Sequence, residues 1–127
     1  MILFIDTTDF DQTRLALVTD QVVWHVFTTR DLSEKLLPEI NKFLRKQKVS
    51  LSKVRKLAVV AGPGGFSRTR TGVAVANALA YGLGIPLVVL PALKIPTDLL
   101  QLSRFKTQKM AAPIYDRDPH ITLSKKK

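Results

Sequence analysis

A glycine-rich stretch between residues 61 and 72 has the composition and spacing best suited to ligand chemistry. It reads Ala-Gly-Pro-Gly-Gly-Phe-Ser-Arg-Thr-Arg-Thr-Gly and lies between an apolar run and a long alanine-rich run. That pattern predicts a buried strand, a tight loop and a helix start, where free backbone N–H groups can hold a phosphate. The spacing, however, matches neither a Walker A loop nor the G-x-G-x-x-G motif of dinucleotide sites.

The alternative to a phosphate loop is a structural turn that brings a helix close to a strand. Glycines allow backbone dihedrals that a side chain forbids, and a proline fixes one φ between them. The residues of this structural loop are Gly62, Pro63, Gly64, Gly65 and Phe66. Ser67 is then the predicted cap of the following helix, because its hydroxyl oxygen can accept a free N–H of the first turn.

Basic residues dominate the charge and form two groups along the chain. The 127 residues include 20 Lys and Arg against 10 Asp and Glu, which gives a net charge of +10. The candidate RNA contacts are Lys42, Arg45, Lys46, Lys48, Lys53, Arg55 and Lys56. The second group is Arg104, Lys106, Lys109 and Lys125 to Lys127. Such groups suit RNA phosphates, but they also suit a solvated helix face with a disordered tail, or an acidic protein partner.

Several classes of site have no support in the composition. The sequence has no cysteine, and its two histidines, His25 and His120, are far apart. Thiolate metal sites and disulfides are therefore excluded, and no Ser/His/Asp set or metal-ligand spacing is present. No apolar segment is long enough to span a membrane. We expect a cytoplasmic protein of one domain that is not an enzyme by itself.

The elements that position the glycine loop alternate between strands and helices. Strands are predicted at residues 1–5, 13–19 and 22–28 as an antiparallel meander, then at 57–61 and 85–90. A first helix over residues 32–47 has Asp31 as its N-cap and Glu34 at the capping-box position, with a kink or a late start at Pro38. A second helix covers residues 67–83. This order predicts an α/β fold with a mixed five-stranded sheet.

The second helix carries small residues four positions apart. Gly72, Ala76 and Ala80 share one side, and small side chains let another helix approach closely. A partner helix is therefore expected on that side.

Three motifs make the chain resemble the bacterial TsaB (also called YeaZ) family, partner proteins in the synthesis of threonylcarbamoyladenosine on transfer RNA. Leu3 to Thr8 is similar to the opening I-D-T-S strand of the family. The stretch 62–72 is similar to its G-P-G-S-F-T-G-L-R-I-G loop, and 78–87 to the helix end and strand that follow. Gly65, Arg68, Thr69 and Thr71 depart from the pattern, where the family has Ser, Gly, Leu and Ile.

The resemblance implies one lobe of the actin-like and Hsp70-like ATPase (ribonuclease H-like) fold. Family members are about twice as long and have two lobes. We therefore expect a TsaB-like lobe at residues 1–95, followed at 96–127 by a linker and an extended segment that packs on the same lobe and ends in a basic tail. Residues 112–117 resemble the P-x-Y-x-R motif near the end of the family.

The resemblance also implies a role as a non-catalytic scaffold. The helices at 32–47 and 67–83 would bind the catalytic relative TsaD, or a second copy of the chain, with TsaE as a further partner and transfer RNA as a candidate ligand. No cofactor is expected on this chain, because ATP and metal would belong to TsaD, and Asp6 is expected to be a turn residue. The expected interface residues are Leu36, Leu37, Ile40, Arg70, Gly72, Val73, Ala76, Asn77, Ala80 and Leu83.

Overall fold

A computed structural model describes residues 1–115 of the protein. Two α-helices cover one face of a five-stranded sheet, and short 3-10 helices complete the chain. The strands are β1 (Ile2–Asp6), β2 (Thr13–Val18), β3 (Val22–Phe27), β4 (Lys56–Gly62) and β5 (Leu87–Pro91). The helices are α1 (Leu32–Lys46) and α2 (Phe66–Leu83), with 3-10 helices at Leu51–Lys53, Ala92–Lys94 and Leu99–Arg104.

The sheet is mixed, as the sequence predicts, with the order β3-β2-β1-β4-β5. Strands β1, β2 and β3 form the antiparallel meander, while β4 pairs in parallel with both β1 and β5. Strands β1, β4 and β5 therefore start at one end of the sheet, here called the amino end, and finish at the other, the carboxyl end. The glycine loop follows β4 at the carboxyl end.

Side chains alternate between two cores, one on each face of the sheet. Leu15 and Leu17 point to the helical side, where they join Leu36 and Ile40 of α1. Ala16 and Val18 point to the opposite side, as the alternation predicts. Helix α1 buries an apolar stripe of five residues at helical spacing: Leu32, Leu36, Ile40, Phe43 and Leu44.

The helix starts differ in detail from the predicted ones. Asp31 occupies the N-cap position of α1 but caps no backbone N–H with its side chain, and α1 begins at Leu32 despite Pro38 within it. Ser67 is not the cap of α2, because that helix already begins at Phe66 and its N-cap is Gly65. The Ser67 carbonyl instead accepts a hydrogen bond from Thr71 Oγ1 at 3.0 Å. The end of α2 is a left-handed Gly84, with φ of 66°.

The chain after β5 packs on the sheet and then on α2. Asp98 Oδ1 accepts a hydrogen bond from Leu100 N at 3.0 Å and so caps the 3-10 helix Leu99–Arg104. Leu99 and Leu102 of that helix are buried against the second core, so residues 96–105 are more than a linker. Residues 108–115 then run past α2 toward the carboxyl end of the sheet, where Ile114 N donates to Ala61 O at 2.6 Å.

Some of the sequence predictions concern residues beyond 115. Arg117 of the C-terminal motif and the basic tail Lys125 to Lys127 lie outside the described residues. Among residues 1–115, no helix combines the length and the hydropathy that a membrane span requires.

Strand β3 forms an edge of the sheet and is only partly covered. Trp24 is 45% exposed and Val26 is 49% exposed. The Trp24 ring meets the edge of the Phe4 ring with centroids 5.7 Å apart, and the Arg14 guanidinium lies 5.2 Å from the Trp24 ring centroid. The guanidinium covers part of the indole and is attracted to it by a cation–π interaction. No described strand pairs with the outer edge of β3.

Candidate functional site: the glycine loop and the exposed face of the second helix

The glycine loop is packed tightly between the β1–β2 connection and the C-terminal segment. Gly62 has φ of +114°, and a Cβ at this position would overlap the carbonyl oxygen of Ile114. A Cβ on Gly64 would lie 2.5 Å from Thr8 O, and Gly65 N donates to the same oxygen at 2.9 Å. Close backbone approach therefore explains these glycines, which favours the structural turn over a phosphate loop.

Arg68 in the first turns of α2 joins the β1–β2 connection, the start of β2 and the β3–α1 connection at the carboxyl end of the sheet. Its Nε donates to Asp9 O at 2.9 Å, its Nη1 donates to Thr29 O at 3.4 Å, and its Nη2 donates to Thr13 Oγ1. Its own carbonyl accepts a hydrogen bond from Thr7 Oγ1 at 2.7 Å. The guanidinium is thus held by oxygen atoms of this chain. The family motif quoted above has glycine at this position.

Asp6, at the end of β1, uses both of its carboxylate oxygens within the chain. Oδ2 pairs with Arg14 Nη2 at 2.7 Å, and Oδ1 accepts hydrogen bonds from Thr8 N at 3.0 Å and Thr8 Oγ1 at 2.6 Å. The residue is only 4% exposed. These contacts give Asp6 a structural role in the β1–β2 connection. Within residues 1–115, no group of three or more His, Asp or Glu side chains could hold a metal ion.

Six of the ten expected interface residues are buried in this chain's own core, which corrects the sequence prediction. They are Leu36, Ile40, Gly72, Val73, Ala76 and Ala80. The small stripe of α2 lets the helix approach its own sheet: a Cβ on Gly72 would overlap Thr7 Oγ1 of the β1–β2 connection. The close approach expected from small residues is real, but at Gly72 it is made to the β1–β2 connection of this chain rather than to a partner helix.

The other four expected interface residues reach the surface to different degrees. Leu37 on α1 is 44% exposed, Arg70 is exposed, and Leu83 is half-buried. Asn77 is tied to the C-terminal segment, because its Nδ2 donates to Ala111 O at 2.9 Å and its Oδ1 accepts from Ala111 N at 2.8 Å.

The solvent side of α2 carries a face of which the sequence prediction of the interface included only Arg70. We call it the α2 surface, and it consists of Phe66, Arg70, Ala74, Ala78 and Tyr81. Phe66, placed in the loop by the sequence analysis, is the first residue of the helix and is 51% exposed. Its ring stacks on the Tyr115 ring with centroids 4.8 Å apart, and the Arg70 guanidinium lies 5.4 Å from its centroid.

The hydrophobic pattern of α2 could not separate this face from the buried one. Alanine, valine and glycine occur on both sides of the helix, so apolar periodicity is weak. The larger polar residues could have identified the solvent side from the sequence. Arg70 and Tyr81 lie eleven positions apart, close to three helical turns, and so mark the solvent side.

A groove continues the α2 surface beyond the end of the helix. Its volume is about 820 Å³. The walls are largely apolar and include Ala78, Tyr81, Ile85, Pro86 and Met110. Tyr81 is 91% exposed and Met110 is 69% exposed, so the groove is bordered by large apolar side chains in solvent. Contiguous apolar surface of this kind is typical of a binding site.

The seven candidate RNA contacts lie away from the glycine loop. Lys42, Arg45 and Lys46 occupy the last turns of α1, and the other four lie between that helix and the start of β4. Six of them are exposed, and Lys56 is half-buried. The structure therefore places the group toward the amino end of the sheet, opposite the loop.

The chain is similar to known proteins that are named for one transfer RNA modification, the synthesis of threonylcarbamoyladenosine. The family model described as TsaD, tRNA N6-adenosine threonylcarbamoyltransferase, matches residues 26–108. The tRNA threonylcarbamoyladenosine biosynthesis protein TsaB of Buchnera aphidicola (Schizaphis graminum) is 30% identical over 75% of this chain and 46% of its own length. TsaB of Bacillus subtilis is 28% identical over 91% of this chain and 49% of its own length.

A solved structure supports the same relationship. YeaZ from Pseudomonas aeruginosa superposes with a TM-score of 0.66 and 27% sequence identity, over 71% of this chain and 44% of that one. The shared part is an actin-like, ribonuclease H-like lobe with a mixed sheet and helices. The chain thus spans about half the length of the curated relatives that it matches.

Proposed function

Because the chain belongs to the TsaB (YeaZ) family, we propose that it takes part in threonylcarbamoyladenosine synthesis on transfer RNA as a non-catalytic partner of a TsaD-type enzyme. The contact would be made through the α2 surface. ATP, metal and the transfer reaction belong to the enzyme in this proposal, and a TsaE-type protein joins a larger complex. The site of action is then the cytoplasm, where transfer RNA is modified.

The exposure of the α2 surface carries the proposal. Ala74 and Ala78 form an uncharged strip whose short side chains do not protrude far from the helix. Such small side chains allow a second helix to pack closely. Phe66 and Tyr81 stand at either end of the strip, and aromatic side chains of this size supply much of the energy in protein interfaces. Arg70 is the charged residue of the face, so a partner with an acidic or hydrogen-bond-accepting group opposite it would fit best.

A role without catalysis agrees with the contacts at the carboxyl end of the sheet. The Asp6 carboxylate is engaged by Arg14 and Thr8, and the Arg68 guanidinium by three oxygens of the chain. An acid or base for catalysis must instead reach a proton on a bound substrate. Titration calorimetry with ATP and magnesium should give no heat with this chain alone, and micromolar binding would contradict a purely scaffolding role.

The test of the interface is co-purification with the TsaD-type protein of the same genome, measured by light scattering on a sizing column. We expect a one-to-one complex with the native chain. Ala78→Arg should weaken it at least 30-fold, because a long cation would replace a methyl group at the centre of the strip. The matched control is Gln101→Arg, which adds the same charge at an exposed position on the opposite face of the sheet.

The outcomes separate the surface from the function. A complex that tolerates Ala78→Arg as well as Gln101→Arg would place the partner elsewhere on the chain. Two separate peaks with the native chain would refute the partnership itself. A stable homodimer that Ala78→Arg dissociates would assign the α2 surface to a second copy of this chain instead.

A further inference from the structure

The two basic groups, which are separated by about fifty residues in sequence, meet at the amino end of the sheet. Arg55 N donates to Met1 O at 3.0 Å, and Lys56 pairs with Ile2 in the register of β4 and β1. Lys56 Nζ lies 3.5 Å from the carbonyl oxygen of Ser103, the residue before Arg104. The first group therefore continues into the second across the end of the sheet.

The other described members of the second group, Lys106 and Lys109, follow the same edge. Gln108 exchanges two backbone hydrogen bonds with Leu87, the first residue of β5, so Lys106 and Lys109 also lie toward the amino end. We call the combined set the basic end. It consists of Lys42, Arg45, Lys46, Lys48, Lys53, Arg55, Lys56, Arg104, Lys106 and Lys109.

Five of the eight acidic residues in the described part of the chain lie at the carboxyl end. Asp6, Asp9 and Asp11 lie at or after the end of β1, and Asp31 and Glu34 lie at the start of α1. In residues 1–115 the carboxylates within 4 Å of a basic side chain are Asp6, beside Arg14, and Glu39, beside His25, so no member of the basic end is paired with a described acid. Asp20, in the turn between β2 and β3, is the acid that faces the amino end, and it accepts a hydrogen bond from Thr19 Oγ1.

The surroundings of these cations favour a phosphate backbone over other anionic partners. Phe43, the aromatic residue within the first group, is 1% exposed, and Phe105 in the second is half-buried against the core. Neither of these rings offers an exposed face for stacking on bases, and the exposed Tyr81 shares a groove with Lys109 alone among the basic end. The apolar stripe of α1 is buried in the chain's own core, so its lysines do not flank an apolar face that could enter a bilayer.

We infer that the basic end binds the phosphodiester backbone of nucleic acid without reading its bases. Binding of this kind comes from the release of counterions condensed on the phosphates, and it needs only exposed cations without competing acids. The inference does not depend on the α2 surface, which lies on the outer side of the helical layer. The two surfaces adjoin at the end of α2, where Lys109 lines the same groove as Tyr81.

The experiment measures binding of the full chain to a fluorescently labelled transfer RNA transcript by anisotropy, as a function of salt. Contact of four cations with duplex phosphates gives a slope of about −3.6 in log K against log salt. Affinity should then fall roughly 150-fold between 50 and 200 mM salt. A single-stranded RNA and a duplex DNA with the same number of phosphates should also bind, since no base is read.

Two triple variants test whether nucleic acid binding depends on the basic end or only on the net charge of the protein. Each phosphate contact contributes about 8-fold at 100 mM salt, so Lys53→Gln, Arg55→Gln and Arg104→Gln together should weaken binding roughly 60-fold if two of them contact phosphates and roughly 500-fold if all three do. The control combines Arg30→Gln, Lys35→Gln and Lys94→Gln, which removes the same charge from exposed positions at the carboxyl end. The control should weaken binding less than 5-fold.

Three results would overturn the inference. Equal losses in the two triple variants would show that net charge, and not the basic end, attracts the nucleic acid. Binding of polyglutamate with the same affinity as RNA would point to an acidic protein as the partner. Absence of binding at 50 mM salt would remove the site altogether. Circular dichroism should show that each variant is folded. If the first triple variant loses nucleic acid binding but still binds TsaD, the two surfaces act independently.

Discussion

Replacing Gly72 by alanine should destabilise the protein, whereas the same replacement at Gly82 of the same helix should stabilise it. Glycine in a helix interior costs up to about 1 kcal/mol relative to alanine, so intrinsic propensity favours both changes. The surroundings differ. A Cβ on Gly72 would overlap Thr7 Oγ1 and lie 2.9 Å from Thr7 Cγ2, whereas a Cβ on Gly82 would meet no atom within 4 Å.

The magnitude at Gly72 follows from what Thr7 must lose. Thr7 is fully buried, and its hydroxyl donates to Arg68 O at 2.7 Å. Turning the side chain away breaks this hydrogen bond and leaves a buried hydroxyl without a partner, at about 1–3 kcal/mol. Moving α2 outward instead strains the core by a similar amount. After subtraction of the propensity gain of up to about 1 kcal/mol, we expect a net loss of about 1 kcal/mol at Gly72, against a gain of about 0.5 kcal/mol at Gly82 near the helix end.

Urea unfolding followed by circular dichroism gives both free energies, and thermal melts check them at roughly 4 °C per kcal/mol. Combining Thr7→Ala with Gly72→Ala should recover part of the loss, because the alanine at 7 removes the overlapping atoms. A double-mutant cycle should give a favourable coupling above about 1 kcal/mol. If Gly72→Ala stabilises the protein as much as Gly82→Ala does, the close packing of α2 on the β1–β2 connection is wrong.

Substitutions at three further positions test the contacts of α2 and the glycine loop. Arg68→Ala should lower the unfolding free energy by roughly 1–3 kcal/mol because it removes three hydrogen bonds, and Arg68→Lys should recover only part, since an ammonium lacks the fork of donors. Asn77→Ala breaks both hydrogen bonds to Ala111 and should speed hydrogen exchange of the Ala111 amide at least tenfold. Gly64→Ala places a Cβ against the backbone of Thr8 and should cost more than about 2 kcal/mol, measured by thermal unfolding.

Each of these has a clear contrary result. A neutral Arg68→Ala in urea unfolding would mean that the guanidinium is solvated rather than held. Unchanged exchange at Ala111 would show that the C-terminal segment is fixed by other contacts. A Gly64→Ala protein that melts at the native temperature would remove the close backbone approach as the reason for that glycine.

The sheet could be predicted because its strands have a strong and regular pattern. Leu15 and Leu17 alternate with Ala16 and Val18, and the structure puts the two pairs in opposite cores. The meander followed from the short links between the first three strands, and the parallel pairs from the helices that connect the rest. The composition of the glycine loop predicted a tight turn or a phosphate loop, and the close approach of Gly62 and Gly64 to backbone atoms favours the turn.

The partner surface could not be located in the same way. Helix α2 has small residues on both sides. The sequence pattern therefore gave no reason to prefer Ala74 and Ala78, which are exposed, over Gly72, Ala76 and Ala80, which are buried. The distinction depends on Thr7, which lies more than sixty residues earlier and fills the space beside Gly72. No local pattern records such a contact. The pairing of Asn77 with Ala111 is another contact between distant residues that local composition does not mark.

The open edge of β3 makes the protein a template for its own aggregation. Within the described residues β3 pairs with β2 on one side only, and its sequence Val-Val-Trp-His-Val-Phe has no lysine, proline or glycine to discourage a second strand. Concentrated samples should therefore self-associate by strand addition, a route unrelated to α2. Val26→Lys places a charge on the exposed side of this edge and should suppress that route. A dimer that persists in the Val26→Lys protein belongs to another surface, and one that disappears belongs to the edge.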